Sequence, residues 1–253
     1  MLADYIRKRR EDRDILLMTH IVAGYPSFDD SLRIVEQMVE GGVDLMELQV
    51  PFSEPIADGP VILHANQQSL EAGSTVDRCF EFAEAVSQRF DIPFVLMTYY
   101  NILFKFGVGA FADRMASVGL RGAIVPDLPP EEASDYLAAM KRHALDPIFI
   151  FSPNTTDSRM KLIAKRAEGF IYCVARKGVT GAETSFTRDF QDYLARCRLA
   201  TELPLALGFG VKDASDVEFL RGQVDVAVIG TETLRIVDQR GVEAVRPFIE
   251  GLR

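Results

Sequence analysis

The chain lacks tryptophan, has only three cysteines and contains no long uninterrupted apolar run. Its longest apolar runs have the length of a strand, as at 93–97, whereas a membrane-spanning helix needs about 20 consecutive apolar residues. Cys79, Cys173 and Cys197 form neither a CxxC motif nor a metal-ligand spacing. The N-terminus is charged and lacks the apolar core of a signal peptide. We therefore expect a cytoplasmic protein with structural thiols, no metal site and no membrane span.

Basic residues are fewer than acidic ones: the chain has 28 Lys and Arg and 37 Asp and Glu, which gives a net charge of −9. Nucleic acids and anionic membranes are bound through a basic surface, so neither is an expected partner. A small phosphorylated ligand remains possible, since backbone N–H groups at a helix N-terminus can hold a phosphate.

Short β-branched runs alternate along the chain with longer amphipathic stretches, which predicts a parallel sheet with helical crossovers. Helices are predicted over 29–39, 130–143 and 156–166, and a further one at the N-terminus. The predicted strands are Leu16–Val22, Val43–Val50, Phe94–Thr98, Gly122–Val125, Pro147–Phe151, Phe170–Val174, Leu203–Leu207 and Val224–Ile229.

Eight strand–helix units in 253 residues favour an α/β fold closed into a (β/α)₈ barrel, with the N-terminal helix as an addition. The whole chain, 1–253, is expected to form one domain, because no linker or low-complexity segment divides it. An open doubly wound sheet is the alternative, but its GxGxxG fingerprint after the first strand is missing.

The second strand carries an acidic residue on its predicted interior face. Side chains alternate along a strand, so Val43, Leu45, Glu47 and Gln49 share one side. A buried carboxyl has a raised pKa, which suits acid–base catalysis, although a purely structural glutamate bound by backbone donors would look the same. Asp58 follows in a loop rich in proline and glycine, and two carboxyls in different settings can divide acid and base roles. An aspartate before glycine is also an ordinary turn former.

Glycine-rich segments follow the last three strands, at 177–183, 208–210 and 230–231. In barrels of this kind a phosphate commonly binds between the loops after strands seven and eight, at the N-terminus of a short helix. Each turn alone is weak evidence, but their positions together predict a phosphate site.

Three motifs give the chain a resemblance to a known family. HIVAGYPSFDDSL, ELQVPFSEPIADGP and RKGVTGAE occur in this order, followed by GFG and a final glycine after strand eight. The chain resembles the tryptophan synthase alpha chain along nearly its whole length. The resemblance implies a lyase that cleaves indole-3-glycerol phosphate to indole and glyceraldehyde 3-phosphate without a cofactor. It also implies a partner, the pyridoxal-phosphate-dependent beta chain, in an α₂β₂ complex.

The resemblance also implies roles for individual residues. Glu47 corresponds to the proton-shuttling glutamate, Asp58 to the aspartate that accepts the indole N–H, and Tyr172 to a tyrosine beside the glutamate. The remaining implied positions are the indole-flanking Leu96, Ile150 and Phe209, the phosphate-binding Gly181, Gly210, Gly230 and Thr231, and Thr180 of a mobile loop that closes over the aspartate.

Four positions depart from the common family pattern. Gln49 stands where the family has glycine, and it could hydrogen-bond Glu47 or crowd the substrate. His20 replaces an aromatic residue of the indole pocket. Glu54 replaces an aspartate in the loop that meets the partner, and Thr231 replaces a phosphate-binding serine.

Two other functions remain open from the residues. Gln49 beside Glu47 would fit a non-catalytic subunit that binds and activates a beta chain. Another phosphate-binding barrel enzyme, such as a sugar-phosphate epimerase or isomerase, would explain the glycines but not the PFSEPIADGP loop.

Overall fold

A computed structural model describes residues 1–175, 188–208 and 210–253 of the chain. Within these ranges, eight parallel strands form a closed barrel in sequential order, and the first strand pairs with both the second and the eighth. The strands are β1 (Leu16–Val22), β2 (Leu45–Gln49), β3 (Phe94–Met97), β4 (Gly122–Ile124), β5 (Asp146–Phe151), β6 (Ile171–Val174), β7 (Leu205–Gly208) and β8 (Val226–Ile229). The predicted (β/α)₈ barrel is confirmed, and every predicted strand end lies within two residues of the observed one.

Helices follow the strands around the outside of the barrel. In the described ranges they are α1 (Leu2–Arg10), α2 (Phe28–Glu40), α3 (Pro60–Glu71), α4 (Val76–Arg89), α5 (Tyr100–Phe106), α6 (Val108–Ser117), α7 (Ser134–Arg142), α8 (Asp157–Ala164), α9 (Arg188–Ala200), α10 (Ala214–Leu220), α11 (Thr231–Arg240) and α12 (Val245–Glu250), with a 3₁₀ turn at Val242–Ala244. Helix α2 shows why they form: Ser27 caps its N-terminus by accepting the Asp30 N–H, and Ile34, Val35 and Met38 make one buried face.

Several predicted elements begin later than the sequence indicated, and α7 and β2 show why. Helix α7 starts at Ser134 because the residues before it form turns, in which the Glu132 N–H donates to the Pro129 carbonyl at 3.0 Å. Strand β2 starts at Leu45 because the Val43 N–H donates back to the Met38 carbonyl at the end of α2. Val43 therefore does not share the interior face with Glu47.

Alternate residues of the strands divide the buried side chains into two layers. One layer lies between the sheet and the helices and includes Val43, Met46, Leu48 and Leu96. The other fills the barrel, as the two-residue period of a strand requires. Its strand members are Leu16, Met18, Leu45, Val95, Met97, Ile124, Ile148, Ala206, Val226 and Val228.

The N-terminal helix α1 closes the end of the barrel at which the strands begin. Leu2 and Ile6 are on its buried side, where they join the interior layer, and the Tyr5 hydroxyl donates to the Asp44 carbonyl at 2.8 Å. The fully buried carboxylate of Asp44 fixes this end of the molecule, because it pairs with three guanidinium groups and accepts the Leu17 N–H. The guanidinium groups are those of Arg9, Arg13 and Arg253, at 3.1, 3.1 and 2.7 Å.

Cys79, Cys173 and Cys197 are free and buried, in agreement with the prediction of structural thiols. No helix in the described ranges combines the length and the apolar character that a membrane crossing requires.

Candidate active site

Polar side chains enter the barrel interior at the ends of β1 and β2. His20, Glu47 and Gln49 lie on the same faces as the apolar interior residues that precede them, and all three are buried. His20 is directly opposite Glu47 in the β1–β2 register. Active sites of this fold lie at the carboxyl ends of the strands, so these residues occupy the catalytic end of the barrel.

Glu47 is 5% exposed, and its Oε2 has no hydrogen-bond partner among the described residues. Burial raises the pKa of its carboxyl from 4.5 to about 7; His20 acts in the opposite direction and the nearby Asp58 adds to the rise. A carboxyl with a pKa near neutrality can both donate and accept a proton at physiological pH. The structure thus gives Glu47 the property that its sequence position predicted.

Gln49 connects β1 and β2 to the loop that carries Asp58. Its Nε2 donates to Asp58 Oδ2 at 2.7 Å, and its Oε1 lies 2.6 Å from His20 Nε2. Of the two possibilities considered for Gln49, a hydrogen bond to Glu47 is not the one the structure uses. The amide instead joins Asp58 to His20 at the carboxyl ends of β1 and β2.

Asn66 on α3 holds the loop that carries Asp58. Its Oδ1 accepts the Phe52 N–H at 2.9 Å, and its Nδ2 donates to the Ile62 carbonyl at 2.9 Å and approaches Asp58 Oδ2 at 3.5 Å. Asn66 is fully buried, and it is not among the site residues predicted from the sequence. The one feature that could have indicated Asn66 is a polar residue on the buried side of the helix that follows the Asp58 loop.

Tyr99, which follows β3 as the N-cap of α5, supports the same loop. Its hydroxyl accepts the Ala57 N–H at 3.1 Å, and its ring stacks on Phe52 with centroids 5.0 Å apart and an interplanar angle of 26°. Together with Asn66, it fixes the loop at two points, Phe52 before the turn and Ala57 within it. Tyr99 was also missed, because a tyrosine after an apolar strand looks like ordinary core.

Tyr172 on β6 lies beside Glu47 and Asp58, as the resemblance implied. Burial, with further contributions from Glu47 and Asp58, raises its pKa well above 10, so the phenol stays protonated. The ring fits against Gly208 of β7, where an added Cβ would lie 3.1 Å from the Tyr172 hydroxyl. Glycine at this position therefore leaves the space that the tyrosine ring occupies.

The apolar residues implied for the indole pocket have different outcomes. Ile150 packs with the interior layer and lies opposite Tyr172 in the β5–β6 register. Leu96 does not reach the site, because it lies in the layer between the sheet and the helices, and its neighbour Met97 is the residue of β3 that faces inwards. Phe209 lies outside the described residues.

Those predicted phosphate-binding residues that the structure describes lie at this same end of the barrel. Gly230 is the N-cap of α11 and Thr231 is its first helical residue, so their backbone N–H groups are at a helix N-terminus. Gly210 is exposed and has φ +78°, a conformation that favours glycine. Thr180 and Gly181 lie outside the described residues.

Comparison with known proteins agrees with this geometry. A family model described as the tryptophan synthase alpha chain matches residues 6–247. The tryptophan synthase alpha chain of Syntrophotalea carbinolica is 63% identical over 253 residues, and that of Desulforapulum autotrophicum is 62% identical over 252 residues; each alignment covers 100% of both chains.

Solved structures give the same result at lower identity. The aminoacrylate-bound form of tryptophan synthase from Mycobacterium tuberculosis superimposes with a TM-score of 0.90 at 28% identity, covering 99% of this chain and 97% of that one. The tryptophan synthase complex from Pyrococcus furiosus gives a TM-score of 0.86 at 27% identity, with 94% and 97% covered.

The fold and the site define an enzyme of the (β/α)₈-barrel class with acidic groups at the carboxyl ends of its strands. The chain belongs to the tryptophan synthase alpha chain family, whose members are lyases that cleave indole-3-glycerol phosphate in tryptophan biosynthesis.

Proposed function

We propose that this chain cleaves indole-3-glycerol phosphate with Glu47 as the proton-transferring group and Asp58 as the partner of the indole ring. The observation that carries the assignment is the buried carboxyl of Glu47, with a pKa of about 7, at the catalytic end of the barrel near Asp58. A group of that pKa is suited to give a proton and take one back within the same turnover.

The proposed reaction is a retro-aldol cleavage in which protons balance. Glu47 protonates the indole ring carbon that bears the glycerol chain, while the Asp58 carboxylate accepts the indole N–H and stabilises the positive charge that develops on the ring. The carbon–carbon bond then breaks, and Glu47 takes the proton of the hydroxyl on the departing carbon. Indole and glyceraldehyde 3-phosphate leave, and Glu47 returns to its initial state. The protonated Tyr172 phenol is a hydrogen-bond donor beside Glu47.

The substrate is proposed to lie across the barrel mouth. Its phosphate would bind the backbone N–H groups at Gly230 and Thr231, with Gly210 and Gly181 in the adjoining loops. Its ring would pack between Ile150, Phe209 and Met97, the last taking the place first assigned to Leu96. Thr180 would close over Asp58 when substrate is bound.

We further propose that the chain works as a single cytoplasmic domain bound to a tryptophan synthase beta chain in an α₂β₂ complex. The loop after β2 supports a docking role, because Glu54 is exposed and Ile56 is 81% exposed at its tip. Phe104 on α5, which follows the next strand, is also 70% exposed. Apolar side chains presented to solvent in neighbouring units are typical of a protein–protein interface.

Indole release from indole-3-glycerol phosphate tests the proposal, measured with the purified chain alone and with a beta chain. Glu47→Gln and Asp58→Asn should each lower kcat by about 100- to 10,000-fold, since that is the usual contribution of an acid–base group. Glu71→Gln, an exposed position on α3, is the charge-matched control. Near-normal activity of either variant would contradict the assigned role. Binding and activation of a beta chain without any indole release would favour the non-catalytic subunit instead.

A further inference from the structure

His20, Gln49 and Asp58 form a continuous hydrogen-bonded row across the barrel mouth. Gln49 is 1% exposed and His20 is 4% exposed. The amide oxygen of Gln49 contacts His20, and its nitrogen donates to Asp58 and, at 3.4 Å, to Asn66 Oδ1. Gln49 and His20 are two of the positions where the sequence departs from the family pattern, and the structure shows that they contact each other.

The row fixes the position of the imidazole proton. An Asp58 carboxylate can only accept, so the NH₂ side of the Gln49 amide must face it. The amide oxygen then faces His20 and needs a donor, which places the proton on His20 Nε2. In the neutral ring the other nitrogen, Nδ1, consequently carries a lone pair.

The nitrogen that carries this lone pair lies near the start of α11. His20 Nδ1 is buried and has no hydrogen-bond partner among the described residues. It lies 3.9 Å from the position that a Cβ on Gly230 would occupy, at the start of α11. His20 is also opposite Glu47 in the strand register. A substrate that extends from Glu47 to the phosphate site at Gly230 therefore passes His20 with its glycerol chain.

We propose that His20 Nδ1 accepts a hydrogen bond from a glycerol hydroxyl of the substrate, and that Gln49 is the positioning residue that fixes the tautomer required for it. The inference rests on the proposed function, since it uses the same substrate and the same orientation. Gln49 performs two tasks through one amide: it keeps His20 an acceptor at Nδ1 and holds Asp58 before the substrate arrives. A glycine and an aromatic residue at these positions could do neither.

A substrate analogue without hydroxyls separates this contact from a change in pocket shape. For His20→Phe, which keeps a flat ring, we expect kcat/KM for indole-3-glycerol phosphate to fall about 5- to 10-fold, the usual effect of losing one hydrogen bond. The inhibition constant of indole-3-propanol phosphate, whose chain carries no hydroxyl, should change less than about 2-fold, because only the missing hydroxyl contacts Nδ1. Equal losses for both ligands would overturn the proposal.

Nitrogen-15 NMR of labelled histidine tests the positioning role of Gln49 directly. The chain has three histidines, so His20→Phe assigns the His20 signals. The unsubstituted protein should show the Nε2–H tautomer, and Gln49→Met, which keeps the length of the side chain without its polar atoms, should lose that preference and lower kcat. An Nδ1–H tautomer in the unsubstituted protein, or an unchanged tautomer in Gln49→Met, would refute the role.

Different results would contradict the proposed function and the role of His20. Absence of indole release, or full activity of Glu47→Gln, would contradict the proposed function. If Glu47→Gln loses activity as expected but His20→Phe affects both ligands equally, only the role of His20 is contradicted.

Discussion

Glu47 makes the stability of the protein depend on pH in a way that Glu47→Gln isolates. Burial raises the pKa of this carboxyl from 4.5 to about 7 in the folded protein, whereas in the unfolded chain it is an ordinary glutamate. Between these two values the folded state binds more protons than the unfolded state. The contribution of Glu47 to the free energy of unfolding is therefore most favourable below pH 4.5 and is lost as the pH rises to about 7.

The size of the effect follows from the two pKa values. One pKa unit corresponds to about 1.4 kcal/mol, so going from pH 5 to pH 8 the Glu47 contribution should fall by about 2–3 kcal/mol. Glutamine has nearly the same shape and does not titrate. Relative to the unsubstituted protein, Glu47→Gln should therefore gain about 2–3 kcal/mol in its free energy of unfolding over this range, while activity is lost.

Urea denaturation followed by far-ultraviolet circular dichroism measures the effect at several pH values, and the chain has no tryptophan for a fluorescence assay. Comparing the slopes cancels the titrating groups that do not interact with Glu47 and every pH-independent effect of the new amide. Glu71→Gln, an exposed position, should follow the unsubstituted protein throughout. If the free energy of unfolding of Glu47→Gln also changes in parallel with that of the unsubstituted protein between pH 5 and pH 8, the carboxyl of Glu47 does not have a raised pKa.

Three further substitutions test the supports around the site. Asn66→Ala leaves the Phe52 N–H without its acceptor, so kcat/KM should fall about 10-fold, as measured by indole release. Gly208→Ala places a Cβ 3.1 Å from the Tyr172 hydroxyl, and the displaced ring should lower kcat/KM about 10-fold with an unchanged melting temperature. Asp44→Asn breaks the ion cluster at the opposite end, so urea denaturation should show about 2–4 kcal/mol lower stability with normal kcat. An unchanged kcat/KM in Asn66→Ala or Gly208→Ala, or an unchanged stability of Asp44→Asn, would refute the corresponding argument.

The barrel and its acidic groups could be predicted from the sequence because both depend on local patterns. Strand and helix periods alternate along the chain, and the two-residue period of β2 places Glu47 and Gln49 on one face. Burial is the largest cause of the raised pKa of Glu47, so its direction follows from that placement. The PFSEPIADGP motif then supplied Asp58 through the family resemblance.

The direction of Leu96 could not be predicted, because every residue of β3 is apolar and buried, on either face. Only the pairing register resolves the ambiguity: Glu47 is opposite Val95, so Val95 faces inwards and Leu96 faces outwards. Asn66 was missed for another reason. Its contacts with Phe52 and Asp58 depend on the path of the loop in space, which no periodic pattern records.

The closure between β1 and β8 has a consequence for how the protein is made. Leu16 pairs with Val226, a contact between residues roughly 200 positions apart, so the barrel cannot close until most of the chain has left the ribosome. Until then β1 and the newest strand expose unpaired edges, which are sites of wrong pairing and aggregation. The newly made chain must therefore remain soluble as an open sheet, and conditions that slow elongation should lower its yield more than its final stability.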